Sequence, residues 1–382
     1  MTPDSRPLAN AMKKNEFSLK YPRRVLFRKG MKFLSKLLIT MLTEIKISGK
    51  ENLPDQGPMI LAGNHVATLE AVMMAAYTPG IVEFVGTGDI PFDPNYAVFA
   101  NAYGLIPINR GNLDRKGLRM GLNVLAQDGI IGIFPEGGTW DHANMSAQIG
   151  VALLSYRAQA PILPIGFGGV KGSLEKALKL KHPALQMNVG ELMAPVTLED
   201  HDLPIKANLQ KAADQVMTKI NALIPDEEFQ LFQRRIDKLH RLEIKVLDHD
   251  QAVALPKELI VRHGEAYARF LYNPTIMDVL VRNLHLPIKP IKLINREVNL
   301  RPLLKAWRSI LDYLEINPGY FTYRFGVVGG LAMKKSLQEL HRLGEWVCQS
   351  GYAITIQPVR QYRNVHTGAA VIERGGCFPE SM

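Results

Sequence analysis

Cysteine is scarce in this chain of 382 residues, which has only Cys348 and Cys377. Two cysteines form no disulfide framework and no repeated metal-ligand spacing. Such usage suits a reducing compartment. The catalytic signatures of nucleophilic hydrolases are missing as well, since there is no Gly-x-Ser-x-Gly elbow and no catalytic cysteine motif. If the protein carries out group transfer, its substrate is therefore expected to supply the nucleophile.

Long apolar runs are also missing near the N-terminus. The apolar stretch in "MKFLSKLLITML", residues 31–42, is well short of the ~20 residues that a membrane-spanning helix needs. It is not typical of a secretory signal, because a long polar and basic stretch precedes it and no small-residue cleavage site follows. We expect residues 31–42 to form an amphipathic helix.

Acidic residues are rare around this helix. The chain has a net charge of +10 and a pI of about 9.4, which favours an anionic partner. Between residues 13 and 36, Glu16 is the only acid among the basic residues Lys13, Lys14, Lys20, Arg23, Arg24, Arg28, Lys29, Lys32 and Lys36. We interpret residues 1–43 as a segment that lies on an anionic membrane surface. The alternative is a surface helix docked on the domain with its lysines in water. Nucleic acid is not expected as a partner, because no aromatic-basic RNA motif and no zinc spacing is visible.

Composition and pattern predict two ordered domains after this segment. At 47% hydrophobic and 21% charged residues, the chain is typical of a globular protein. Strands alternate with helices over residues 44–224, which predicts an α/β layered domain with a mixed sheet flanked by helices. Residues 225–382 are less regular and predict a small α+β domain. In it we expect an amphipathic helix over residues 331–347 and a closing β-hairpin around "RNVHTG".

The stretch "LAGNHVATLE", residues 61–70, places a histidine and a carboxylate at the end of a predicted buried strand. In open α/β sheets, ligands bind beyond the carboxyl ends of strands. A neutral imidazole can take a proton from a hydroxyl, and a carboxylate can hold the correct tautomer and stabilise the imidazolium. This predicts His65 as the base and Glu70 as its orienting acid. The alternative is a capped helix start.

Three further blocks follow predicted strands. "IPINRG" carries Arg110, whose guanidinium can hold a phosphate through two parallel hydrogen bonds, or can be a solvated loop residue. "FPEGGTWD" gives a carboxylate, two glycines and a hydroxyl, which either bind an anion through backbone N–H groups or form an ordinary turn. "PILPIGF" either lines an apolar channel or forms a core strand.

Together and in this order, "NHVATLE", "IPINR", "FPEGGTW" and "APILPIGF" resemble the blocks of the PlsC-like glycerolipid acyltransferases, the 1-acylglycerol-3-phosphate O-acyltransferase family. The preceding "SGKENLP" is similar to the segment that leads into the first block. The resemblance covers roughly residues 45–224. This sequence has Glu70 where that family usually has aspartate, and an extra glycine in "EGGT".

The resemblance implies an enzyme in which a fatty acyl group passes directly from acyl-CoA or acyl-carrier protein to the hydroxyl of a lysophospholipid. The acceptor would be 1-acylglycerol-3-phosphate and the product phosphatidic acid, without a metal or organic cofactor, at the cytoplasmic side of the cell membrane as a peripheral or monotopic protein. His65 and Glu70 would be catalytic. The implied substrate-binding residues are Asn64, Arg110, Glu136, Gly137, Gly138 and Thr139, and the implied acyl-channel residues are Pro161, Ile162, Leu163 and Pro164. Open alternatives are a lyso-aminolipid or glycolipid acceptor, a non-catalytic lipid-binding protein, and a hydrolase.

Overall fold

The computed structural model describes residues 19–87, 94–108, 114–137, 147–198, 200, 202–225, 235–249, 251–272, 280–287, 300–364 and 369–374. The chain falls into two units. The first consists of Met1–Asp89 and Phe99–Gln233, and the second of Ile90–Val98 and Arg234–Met382.

A mixed seven-stranded sheet organises the chain up to residue 233. The strands are β1 (Glu44–Ser48), β2 (Met59–Gly63), β3 (Val82–Thr87), β4 (Ile106–Ile108), β5 (Ile130–Ile133), β6 (Ile162–Gly168) and β7 (Ala184–Val189). The helices are α1 (Val25–Leu42), α2 (Leu69–Tyr77), α3 (Pro94–Tyr103), α4 (Arg115–Leu125), α5 (Gly150–Ala158), α6 (Ser173–Leu178) and α7 (Ile205–Leu223).

The strand order is β1-β7-β6-β2-β5-β3-β4. Strands β2, β3, β4, β5 and β6 all run in the same direction. Strand β7 is antiparallel to β6 and parallel to β1. The carboxyl ends of β2, β3, β4, β5 and β6 therefore share one edge of the sheet with the amino ends of β1 and β7. We refer to this edge as the carboxyl edge. The predicted mixed sheet is confirmed.

Two hydrophobic cores lie on opposite faces of this sheet, because side chains alternate between the faces along each strand. Ile60 of β2 packs in the core that includes α4, α5 and α7, and its neighbour Leu61 packs in the core that includes α2. Every residue of β2 and β6 is buried, as the continuous apolar runs of these strands predict.

The second unit is an antiparallel sheet with helices. It contains β8 (Arg235–Asp248), β9 (Gln251–Ala252), α8 (Gly264–Leu271), α9 (Leu300–Ile316), α10 (Thr322–Ser350), β10 (Ala353–Asn364) and β11 (Ala370–Arg374). The strand order is β11-β10-β8-β9, and the predicted hairpin of β10 and β11 is confirmed. The predicted amphipathic helix is also present, but it is longer than its apolar pattern indicated. The core of the second unit includes Trp307, whose Nε1 donates a hydrogen bond of 2.8 Å to Tyr267 Oη.

Helix α1 packs on the first unit through charged side chains. Arg28 is only 2% exposed, and its Nη1 and Nη2 donate to the two carboxylate oxygens of Glu83 at 2.5 and 2.9 Å. Arg23 Nη2 reaches the same carboxylate at 2.6 Å. Burial by itself would raise the pKa of Glu83, but the hydrogen bonds from Arg28 and Arg23 outweigh it and hold that pKa below its ordinary value. This buried ion cluster fixes α1 to β3.

Two more basic side chains of this segment bind backbone carbonyls. Arg24 donates to the carbonyls of Asn101 and Ala102, and Lys32 donates to those of Thr78, Pro79 and Gly80, just after α2 ends. A cation at a helix C-terminus is favoured by the helix dipole. The side chains of Arg23, Arg24, Arg28 and Lys32 are thus held by the protein itself, whereas contact of the basic run with a membrane surface stays a prediction.

The outward face of α1 is apolar. Seven large side chains on it are between 44% and 89% exposed, namely Leu26, Phe27, Phe33, Leu34, Leu37, Leu38 and Met41. We call these seven residues the α1 stripe. The helix begins at Val25, earlier than predicted, which adds Leu26 and Phe27 to the stripe. Within the described part of the chain, no helix has both the length and the apolar character needed to cross a bilayer.

Candidate active site

His65 lies at the carboxyl edge, two residues after β2 ends, and the residue before it fixes the turn. The Asn64 side chain is buried and pairs with the backbone of β6. Its Oδ1 accepts a hydrogen bond of 2.7 Å from Phe167 N, and its Nδ2 donates to Phe167 O at 3.0 Å. These bonds tie the turn to the neighbouring strand and give Asn64 a positioning role. A contact of Asn64 with substrate stays a prediction.

The segment after β5 holds His65 from the other side. The backbone N–H of His65 donates to Glu136 Oε2 at 2.8 Å, and the Glu136 carboxylate is buried. The imidazole stacks on the Phe134 ring, with centroids 4.2 Å apart and planes 17° from parallel. The histidine side chain keeps 21% of its surface exposed. Glu136 is therefore a positioning residue for His65, and its predicted contact with substrate stays a prediction.

Glu70 stands in the first turn of α2 and is fully buried. Its Oε1 accepts hydrogen bonds from Val66 N at 2.6 Å and Ala67 N at 2.7 Å, so the carboxylate closes the loop that follows His65. Its Oε2 faces the imidazole, 4.0 Å from Nδ1. This distance is beyond a hydrogen bond but within strong electrostatic reach. The structure therefore brings the predicted pair together, and Glu70 also serves the helix start.

Burial dominates the protonation of Glu70. It raises the pKa of this carboxyl to about 7, against the N–H groups of Glu70, Val66 and Ala67, which lower it, and with a smaller rise from the charge of Glu136. A carboxyl with such a pKa changes charge in the same pH range as an imidazole. The charge of Glu70 is thus poised near neutral pH.

The predicted anion-binding turn is described only in part. Gly137 closes a turn with its N–H on Phe134 O at 3.0 Å, and its φ of +74° is a conformation that glycine adopts without strain. Arg110, Gly138 and Thr139 lie outside the described residues. Because β4 ends at Ile108, Arg110 follows two residues after a strand whose carboxyl end lies at the same edge as His65. The roles of these residues stay predictions.

The predicted acyl-channel block forms the start of β6. Ile162 packs in the core with α7, and Leu163 packs in the core with α2. Pro161 O accepts from Ile60 N, and Pro164 O accepts from Gly190 N. These contacts support the alternative of a core strand that the sequence had left open. A channel along Pro161, Ile162, Leu163 and Pro164 stays a prediction.

Two contributions at the site were missed from the sequence. Phe134 belongs to the quoted block "FPEGGTWD", yet its stacking on His65 depends on β5 lying next to β2. The Asn64–Phe167 bonds likewise depend on β6 lying on the other side of β2. An aromatic residue and an asparagine directly after buried strands were the available signals, but neither names its partner.

Known proteins match the half of the chain that carries this site. Residues 44–168 match the family model described as Acyltransferase. This region is therefore similar to the acyltransferases. The chain is 21% identical over 190 residues to the 1-acyl-sn-glycerol-3-phosphate acyltransferase of Bacillus subtilis (strain 168), an alignment that covers 49% of this chain and 92% of that protein. The crystal structure of the 1-acyl-sn-glycerophosphate acyltransferase PlsC from Thermotoga maritima matches with a TM-score of 0.39 and 14% identity, over 53% of this chain and 85% of that one.

The similarity to PlsC-like acyltransferases that the four blocks indicated is thus confirmed. The matched region contains His65, Glu70, Glu136 and all of β6. The part of the second unit from Arg234 onward follows the matched residues.

Proposed function

We propose that the protein transfers a fatty acyl group from an acyl thioester, carried by CoA or acyl-carrier protein, to the free hydroxyl of a lysophospholipid. The proposed acceptor is 1-acylglycerol-3-phosphate and the product is phosphatidic acid, for phospholipid synthesis. The observation that carries this proposal is the partly exposed His65 imidazole, which is fixed at the carboxyl edge by Glu136, Asn64 and Phe134 and faces the buried Glu70.

The chemistry follows from this arrangement. With Nδ1 directed to Glu70, Nε2 is the ring nitrogen that takes the proton from the acceptor hydroxyl. The hydroxyl oxygen then attacks the thioester carbonyl, the C–O ester bond forms and the C–S bond breaks. The imidazolium returns its proton to the departing thiolate, so the enzyme ends as it began. Ionised Glu70 stabilises the imidazolium between these two proton transfers.

Recognition of the acceptor is assigned to the loops of the same edge. Arg110 would hold the acceptor phosphate through its planar guanidinium, and the turn at Gly137, Gly138 and Thr139 would add backbone N–H groups. The charges are complementary, since the acceptor is an anion and the chain is strongly basic.

The α1 stripe supports a membrane-bound setting at the cytoplasmic side of the cell membrane. Large apolar side chains on the outer face of a helix are costly in water, and each buried one stabilises an interfacial helix. The Arg28–Glu83 pair fixes the helix in the orientation that leaves this face outward. We therefore place α1 in the interface plane, with its stripe toward the acyl chains.

A transfer assay with purified protein tests the proposal. His65→Ala should lower the rate of thiol release from acyl-CoA in the presence of 1-acylglycerol-3-phosphate by ~10²–10⁴-fold, because general-base catalysis is worth that much. His249→Asn is the control, since His249 is exposed in the second unit and its positive φ suits asparagine. A His65→Ala enzyme that keeps more than about a tenth of the wild-type rate would exclude this mechanism. Thiol release that needs no acceptor would identify a hydrolase instead.

A further inference from the structure

The turn between α6 and β7 exposes two leucines among lysines. Leu178 and Leu180 are 72% and 68% exposed in the sequence "LKLKH", residues 178–182. The neighbouring cations Lys176, Lys179 and Lys181 are exposed as well. The nearby acid Glu175 pairs with Lys179 at 2.6 Å, which leaves a positive excess around the two leucines.

The backbone of this turn holds Leu180 in a conformation that leucine rarely adopts. Helix α6 ends in a Schellman motif, in which Lys181 N donates to Lys176 O at 3.0 Å and Leu180 N donates to Ala177 O at 2.9 Å. Leu180 occupies the left-handed position of the motif, with a φ of +55°. Glycine is the usual residue there, because a Cβ is strained in this region. Backbone preference does not account for a leucine here, and 68% of its surface is exposed rather than packed against the described part of the chain.

This turn lies at the carboxyl edge, beside the end of α1. Pro183 O accepts a hydrogen bond of 3.0 Å from Glu44 N, so β7 and β1 start side by side. Met41 of the α1 stripe lies three residues before Glu44, and Leu180 lies three residues before Pro183. Both residues are therefore close in sequence to the paired starts of β1 and β7. Strand β7 is two strands away from β2, which corresponds to about 10 Å across the sheet. The amino end of β7 pairs with the carboxyl end of β6, next to the turn that holds His65.

We propose that residues 176–182 form a second lipid-contacting element, which together with the end of α1 seats the carboxyl edge on an anionic bilayer. Leucines that reach into the acyl boundary and lysines that stay among the phosphates are the pattern of an interfacial element. The lipid then buries Leu180, which the fold leaves exposed and strained. This inference rests on the proposed function for the reason why the His65 edge should face lipid, whereas binding of the turn to vesicles can be measured separately.

Sedimentation with vesicles of phosphatidylcholine and phosphatidylglycerol tests the inference. The double variant Leu178→Ser/Leu180→Ser should partition about tenfold more weakly than wild type at any salt concentration, because burial of two leucines is lost. Replacing Lys176, Lys179 and Lys181 by Gln should weaken binding at low salt and matter less at high salt.

A matched control is available at the far end of α7. Leu203 and Ile205 are 41% and 60% exposed at its N-terminus, and the 19 residues of α7 place them about 28 Å from its other end. That other end lies near the carboxyl edge, because Leu223 O accepts from Asn188 Nδ2 and Pro225 contacts Gly168. Leu203→Ser/Ile205→Ser should therefore bind vesicles as wild type does.

The result that overturns the inference is wild-type partitioning of the folded Leu178→Ser/Leu180→Ser protein. The variant Leu34→Ser/Leu37→Ser separates this failure from a failure of the proposed function. If Leu34→Ser/Leu37→Ser loses vesicle binding and Leu178→Ser/Leu180→Ser does not, the membrane setting stands and residues 176–182 are excluded as a lipid-contacting element. The variant Leu180→Trp adds a fourth tryptophan to the three of the wild type, and brominated acyl chains should quench more of its fluorescence than that of wild-type protein bound to the same vesicles. Equal quenching of the two proteins would likewise exclude contact of this turn with lipid.

Discussion

Replacement of Glu70 by glutamine should separate the stability of the site from its chemistry. Glutamine keeps the shape of the side chain, and its Oε1 can still accept the N–H groups of Val66 and Ala67. It removes the charge that faces His65. Because burial raises the pKa of Glu70 to about 7 from an ordinary value of 4.5, the folded protein binds a proton here more tightly than the unfolded chain does.

The sign of the pH dependence follows directly. When the pKa of a carboxyl is raised by folding, its contribution to stability is full below the unfolded pKa and is lost as the pH rises through the folded pKa. The interval from 4.5 to about 7 corresponds to about 3 kcal/mol, at about 1.4 kcal/mol for each pH unit. Relative to Glu70→Gln, the wild-type free energy of unfolding should therefore fall by about 3 kcal/mol between pH 4 and pH 8.

Urea unfolding at a series of pH values measures this difference, and subtraction of the two curves removes the titrations that both proteins share. Glu51→Gln, at an exposed position of the first unit, is the control for the substitution of a carboxylate by an amide. In the same samples acyl transfer by Glu70→Gln should be strongly reduced, while Glu70→Asp should lose less. A flat difference curve for Glu70→Gln would refute the raised pKa, and unchanged activity would reduce Glu70 to a cap of α2.

Three further outcomes are expected. Glu83→Gln should lower the free energy of unfolding by about 3–5 kcal/mol in urea titrations, because it leaves the buried Arg28 without its counter-charge. The double variant Glu83→Leu/Arg28→Met should lose less stability, and equal losses in the two proteins would contradict this account. Leu180→Gly should not lower the thermal midpoint, since it relieves a left-handed leucine, yet it should weaken vesicle binding; a clear drop in the midpoint would argue for a structural role. Asn64→Ala should lower the turnover number and the thermal midpoint together, because it removes the side chain that hydrogen-bonds the N–H and the C=O of Phe167. An unchanged midpoint would show that Asn64 has no positioning role.

The sequence by itself determined the local elements and the order of the chemical groups. Apolar runs bounded by glycine and proline located β2 and β6, and helical spacing located α7, because both patterns depend only on residues near each other in the chain. Strands separated by helices implied parallel pairing, which gathers strand ends at one edge. His65 and Glu70 are separated by one short loop at the start of α2, so their proximity was also a local property.

Only the tertiary structure decided which partners these groups meet. The hydrophobic pattern of α1 shows that one side is apolar, but not that this side faces outward. That orientation follows because Arg28 forms a buried ion pair with Glu83, which is 55 residues away along the chain. In the same way, the roles of Glu136 and Phe134 depend on β5 lying beside β2. The physical reason is that periodicity fixes the direction of a side chain relative to its own backbone, whereas its contacts depend on the order in which distant strands pair.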